Sequence, residues 1–85
     1  MAVRAAVRRS DYRDSMVLMQ LAAEVSALPG VREVAALMGT PANHELLGAA
    51  GLATGDTRAA TPGDLIISVQ ADADAAAVAA LDRAA

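Results

Sequence analysis

The sequence predicts a small two-layer α+β domain with its elements in the order β-α-β-(short α)-β-α, and three observations carry that reading. Residues 3–8 alternate with period two. Residues 18–28 place apolar side chains three and four apart, as a helix with one buried face does. Two further short apolar runs, 31–38 and 65–70, lie between glycine, proline and aspartate punctuation. A sheet covered by helices, ferredoxin-like in flavour, accommodates this α/β order in 85 residues. The alternative arrangement is a three-layer open parallel sheet.

The first strand puts Val3, Ala5 and Val7 on one face and Arg4, Ala6 and Arg8 on the other. Ser10 or Asp11 is the expected cap of the first helix, with Asp14 in its first turn, where the helix dipole favours negative charge. Leu18, Leu21, Ala22, Val25 and Leu28 form its buried stripe, and Pro29-Gly30 stops it. A break this short makes the strand-helix-strand unit a right-handed crossover, so the first two strands run parallel.

The second strand, 31–38, turns Val34, Ala36 and Met38 one way and Ala35 and Leu37 the other. Gly39-Thr40-Pro41 then reads as strand end, helix cap and proline at the first helical position. That helix is expected to end near Gly48 or Gly51, and residues 51–63 read as a long loop. The third strand, 65–70, has no predicted direction. Arg4, Arg8, Ser68 and Gln70 imply that one sheet face is not a dry core, which favours two layers. Asp72 or Asp74 starts a last, alanine-rich helix whose large apolar anchors are Val78 and Leu81. It runs without a stop to Ala85, as expected for a piece of a longer protein. One domain over 1–85 is the expected organisation.

Composition narrows the function classes. Hydrophobic residues make up 55%, yet 23 of them are alanine and Tyr12 is the only aromatic, so the core is thin for its apolar content. Such a domain is expected to draw stability from self-association or from a partner. The net charge is −3, with seven arginines, no lysine and ten carboxylates, which disfavours nucleic acid as a partner. No apolar run reaches the roughly 18 residues of a membrane span, and there is no cysteine for a disulfide or a thiolate ligand. The opening segment is arginine-bearing and free of acids, as transit peptides are, but it alternates as a strand does. Cytoplasm is therefore the default compartment.

Few residues offer chemistry. His44, the single histidine, falls in the first turns of a short helix and is expected to point outward. Asp72 and Asp74 form an Asp-x-Asp pair, part at most of the six or more oxygens that calcium takes, and they read more simply as helix-start carboxylates. Asp11, Asp14 and Ser15 have no local base and read as capping residues. Met16 and Met19 read as packing residues. The most informative segment is Gly39-Thr40-Pro41-Ala42-Asn43. There Gly39 keeps the backbone approachable, Thr40 caps the helix, and the N–H groups of Ala42 and Asn43 could receive a small anion or a carboxylate.

The chain also resembles a known family. Residues 14–19, the run Val34-Ala35-Ala36-Leu37-Met38-Gly39-Thr40-Pro41-Ala42-Asn43 with Leu46, Leu47 and Gly51, and the block Ala60-Thr61-Pro62-Gly63-Asp64-Leu65 look like the N-terminal segment of the FdrA family of acyl-CoA-synthetase-like proteins. The similarity spans about residues 4–80, and Met38–Asn43 is its specific part. The resemblance implies a longer protein whose later portion is similar to the α subunit of succinyl-CoA synthetase. Some members are linked to allantoin breakdown and to carbamoyl transfer onto oxamate. The CoA-binding and phosphoryl-handling parts lie beyond this segment, so it implies no catalytic residue and no cofactor here. His44 does not correspond to the phosphohistidine of succinyl-CoA synthetases.

Two functions follow as expectations. One is an N-terminal accessory or docking domain of an FdrA-like ligase or carbamoyltransferase-related enzyme, inactive alone. Its partner would be the CoA-binding portion, a partner subunit or a second copy. The other is a free-standing small-anion-binding or oligomerisation module.

Overall fold

The computed structural model describes residues 1–84. The elements are β1 (Ala2–Arg8), α1 (Ser15–Ser26), β2 (Val31–Met38), α2 (Pro41–Ala50), α3 (Gly55–Arg58), β3 (Leu65–Ala71) and α4 (Asp74–Ala84). The sheet has the order β1-β3-β2, and β3 is antiparallel to both neighbours. β1 and β2 therefore run parallel to each other with β3 inserted between them. The antiparallel pairing excludes the open parallel sheet and gives the expected ferredoxin-like α+β domain.

Alternation along β3 builds two apolar clusters. Leu65, Ile67, Val69 and Ala71 face α1 and α4, joined by Ala36 of β2. On this side Leu18 and Val25 of α1 are buried, as the helical stripe requires. Ile66 faces the opposite way and packs with Leu47, Leu52 and Ala60 from the segment between β2 and β3. Val3 and Val7 join this second cluster, and so do Ala35 and Leu37.

Several expectations need correction. The first helix is capped by Asp14, whose side chain accepts from the Met16 N–H at 2.9 Å. Neither Ser10 nor Asp11 caps it. Ser10 instead takes a left-handed conformation with φ of 54° in the preceding turn. The second sheet face is not wet at its centre. Ser68 is fully buried, and its hydroxyl donates to the Leu52 carbonyl at 2.6 Å. Arg4 and Arg8 sit on the other face, opposite Val69 and Leu65. Residues 51–63 are not all loop: Thr54 and Thr57 form a capping box around the single turn of α3.

α4 also packs differently from expectation. Ala77, Ala80 and Ala84 are its buried face, whereas Val78 is 42% exposed. Small residues let this helix lie close to the chain below it. A Cβ placed on Gly30 would come within 3.1 Å of Ala76 Cβ. Gly30 also needs its positive φ of 78°, which glycine adopts without steric cost. The expected continuation of α4 through Ala85 lies outside the described residues. No helix among the described residues is long and apolar enough to cross a membrane.

Candidate functional site

The segment singled out in the sequence is a strand end joined to a well-capped helix. Thr40 is the cap of α2, and its hydroxyl accepts from the Asn43 N–H at 3.3 Å. Pro41 follows at the helix start. The Asn43 side chain turns back and donates from Nδ2 to the Met38 carbonyl at 2.8 Å. Ala42 is exposed. Gly39 has a different role from the expected one of keeping the backbone approachable. It is buried, and a Cβ there would lie 2.5 Å from the Thr61 carbonyl oxygen and 3.0 Å from Ala60. The glycine is required because the turn before β3 lies directly against it.

That turn is organised by Asp64, which sequence reasoning missed as a separate feature. Asp64 is buried, with 4% of its surface exposed. Its Oδ2 accepts from the Thr61 N–H at 2.9 Å and the Thr61 hydroxyl at 3.0 Å. Its Oδ1 accepts from the Ser10 N–H at 2.9 Å, and its backbone carbonyl accepts from the Gly39 N–H at 3.0 Å. One residue thus ties the β1–α1 turn, the end of β2 and the start of β3. The Thr61 and Ser10 N–H groups hold its carboxyl below the usual range, with help from the Thr61 hydroxyl and Arg9, although burial opposes the shift. The signal in the sequence is Thr61-Pro62-Gly63-Asp64 itself, a turn closed by the Asp64 N–H donating to the Thr61 carbonyl at 2.9 Å.

The remaining polar candidates are also bound up in structure. His44 does not point outward: it is half-buried, with Nε2 2.9 Å from the Ala60 carbonyl oxygen. Asp72 pairs with Arg32. Asp74 accepts two hydrogen bonds from Arg4, at 2.6 and 2.9 Å. Asp11 pairs with Arg13 at 3.1 Å. The structure brings Gly39 and Asn43 near this polar knot but does not gather His44, Asp72 and Asp74 into one constellation.

A concavity opens beside this segment and has Met38 and Asn43 in its lining. It is a groove of about 710 Å³ along the outer edge of β2, between α1 and α2. Leu18, Met19 and Ala22 line the α1 side, and Leu46, Leu47 and Ala50 line the α2 side. Leu47 is fully buried at the groove's inner wall because of how α2 ends. Gly51 takes φ of 73°, and the Leu52 N–H reaches the Leu47 carbonyl at 2.9 Å, so Leu52 packs with Leu47. Tyr12, Met19 and Leu46 stand 71%, 67% and 60% exposed at the groove. The sequence carries a faint sign of this: adjacent leucines at 46 and 47 cannot both face inward on one helix.

Fold and site define a small ferredoxin-like domain in which the polar candidates are engaged within the fold and three exposed apolar side chains, Tyr12, Met19 and Leu46, stand at the β2 edge. The whole chain, residues 1–85, matches the family described as "AllF, heavy metal-associated domain", and it belongs to that family. No solved structure gives a significant match.

Proposed function

We propose that this chain is the N-terminal accessory domain of an FdrA-like enzyme, related to acyl-CoA synthetases or carbamoyltransferases and linked to allantoin breakdown, and that it docks protein and performs no chemistry alone. The observation that carries this reading is the division of labour in its side chains. Asp64, His44, Asp72 and Asp74 are all engaged by hydrogen bonds or ion pairs within the fold. The exposed large apolar groups Tyr12, Met19 and Leu46 converge on an open strand edge. Apolar patches of this kind on a small domain mark protein contact.

The family description contains the words heavy metal, and the residues present do not fit such an ion. Soft metals are held by thiolates and imidazoles. This chain has no cysteine, and its one histidine is turned to the Ala60 carbonyl. Among the described residues no three His, Cys, Asp or Glu side chains are grouped to hold a metal. Met16 and Met19 offer two exposed thioethers, too few donors by themselves.

Two measurements test the proposal. Calorimetric titration of the chain with CoA should give no saturable heat; binding tighter than about 0.1 mM, near 5.5 kcal/mol, would overturn the non-catalytic reading. Docking predicts that the chain associates either with itself or with the CoA-binding portion of the enzyme on size-exclusion chromatography. A chain that does neither has no docking role.

A further inference from the structure

We infer that this chain belongs to a heavy-metal-associated family without carrying a heavy-metal site, and that the junction of its loops is instead a cradle for a negative charge, which the chain supplies from Asp64. The inference stands apart from the docking reading, since a domain with or without an ion could dock protein.

The donor set comes first. A soft ion takes several thiolate, imidazole or thioether ligands at one point. With no cysteine, the chain offers one histidine and four methionines. His44 Nε2 lies 2.9 Å from the Ala60 carbonyl oxygen. A carbonyl only accepts, so Nε2 carries the proton and Nδ1 alone keeps a lone pair for a metal. The methionines do not converge. Met1 precedes β1 and Met38 ends β2, and these parallel strands set the two at opposite ends of the sheet. At about 3.3 Å per residue that separation is on the order of 20 Å. Met16 and Met19 share a side of α1 and are both exposed. Met38 lines the same groove as Met19 but packs against the core. Two solvated thioethers are the strongest grouping, short of the four ligands of a closed site.

The polarity of the loop junction is the second observation. Where the β1–α1 turn, the end of β2 and the start of β3 meet, the groups presented are donors. They are the Ser10 N–H, the Thr61 N–H and the Thr61 hydroxyl, with Arg9 at 4.0 Å. A metal site presents lone pairs; this junction presents hydrogens and a guanidinium, which hold an anion and repel a cation. Asp64 is that anion, buried and with both oxygens engaged. The loops are thus fastened by an internal carboxylate and need no ion to order them.

The test has a metal arm and an anion arm. An ion that binds the folded chain raises its melting temperature. Zn²⁺, Cd²⁺ and Cu⁺ (the last under anaerobic reducing conditions) should each leave it unchanged at about 100 µM, a large excess over a micromolar Kd. Treatment with a chelator should leave it unchanged too. One-to-one binding tighter than about 10 µM by calorimetry, or a melting temperature lowered by chelation, would overturn the inference. So would a rise with Cu⁺ that disappears when Met16→Leu and Met19→Leu are combined, because the thioethers would then form a site. In the anion arm, Asp64→Ala should melt below the parent, and formate should recover part of the loss as it enters the vacated cradle. Chloride at equal ionic strength should not. If the variant is unfolded without formate, the same contrast is read as folding on its addition. Equal recovery by both salts, or recovery by neither, would overturn the cradle.

Discussion

The two outer edges of the sheet are built to opposite rules. Beside β1 lies a smaller concavity, about 390 Å³, lined by Arg4, Thr54, Asp56 and Asp82 together with Val3 and Val78. Arg4 there is locked to Asp74, and its guanidinium is held more firmly protonated by that hydrogen-bonded pair, by the Asp74 charge, and by Asp56. Charged side chains of this kind discourage a foreign strand. Beside β2 the walls are leucine, methionine and alanine, and the charges stand only at the ends. The contrast teaches that Tyr12, Met19 and Leu46 form an apolar rim at the β2 edge, whereas exposed Val78 beside β1 sits among charged side chains.

The groove wall is where the comparison breaks most easily. Leu47→Ala removes a fully buried side chain shared by α2, Leu52 and Ile66. Chemical denaturation should show a loss of about 2–4 kcal/mol, and any association through the β2 edge should fall with it. Next comes Gly39→Ala. Its Cβ would meet the backbone of Thr61 and Ala60, which has to move, so a loss of about 1–3 kcal/mol is expected by the same measurement. These substitutions act at opposite ends of α2, and both should loosen the β2 side while leaving the Arg4–Asp74 pair in place.

Asp64→Asn sharpens the comparison through pH. The native carboxyl titrates below its unfolded value, so its contribution is present above the unfolded value of about 3.9 and is lost as pH falls through the lower folded one. Thermal melts should show the variant less stable than the parent at neutral pH, with the gap closing in acid. A gap that stays constant with pH would mean that packing, not the carboxylate charge, sets the role of Asp64. The smallest effect is expected from Arg4→Gln at the β1 edge. Its pair is exposed to solvent, where such contacts contribute little. Melting temperature should hardly move, and added salt should erase what difference there is.

What can be read in the sequence is what local periodicity and local capping decide. The Leu18–Val25 stripe, the opposed faces of Val34-Ala36-Met38 and Ala35-Leu37, the Thr40 cap and the Gly51 stop each depend on a few neighbouring residues. What stays hidden depends on residues far apart in the chain. Ser68 reads as a solvent-facing residue because nothing in its strand announces that residues 52–60 fold over it. His44 reads as exposed because its partner, the Ala60 carbonyl, is sixteen residues away. In α4 the pattern points to Val78 and Leu81 and not to the alanine face, since side-chain size says nothing of how closely two backbones approach. The candidate site divides in the same way. The polar segment Gly39–Asn43 is visible as a motif, whereas the groove beside it needs β3 placed in the middle of the sheet before β2 has an open edge.

The most direct test of that open edge is amide hydrogen exchange followed residue by residue at low and high protein concentration, and with the CoA-binding portion of the enzyme added. Association by either route should slow exchange along residues 32–38 of β2 and leave residues 2–8 of β1 unchanged. Unchanged rates across β2 under both conditions, or new protection along β1 instead, would contradict docking through the β2 edge.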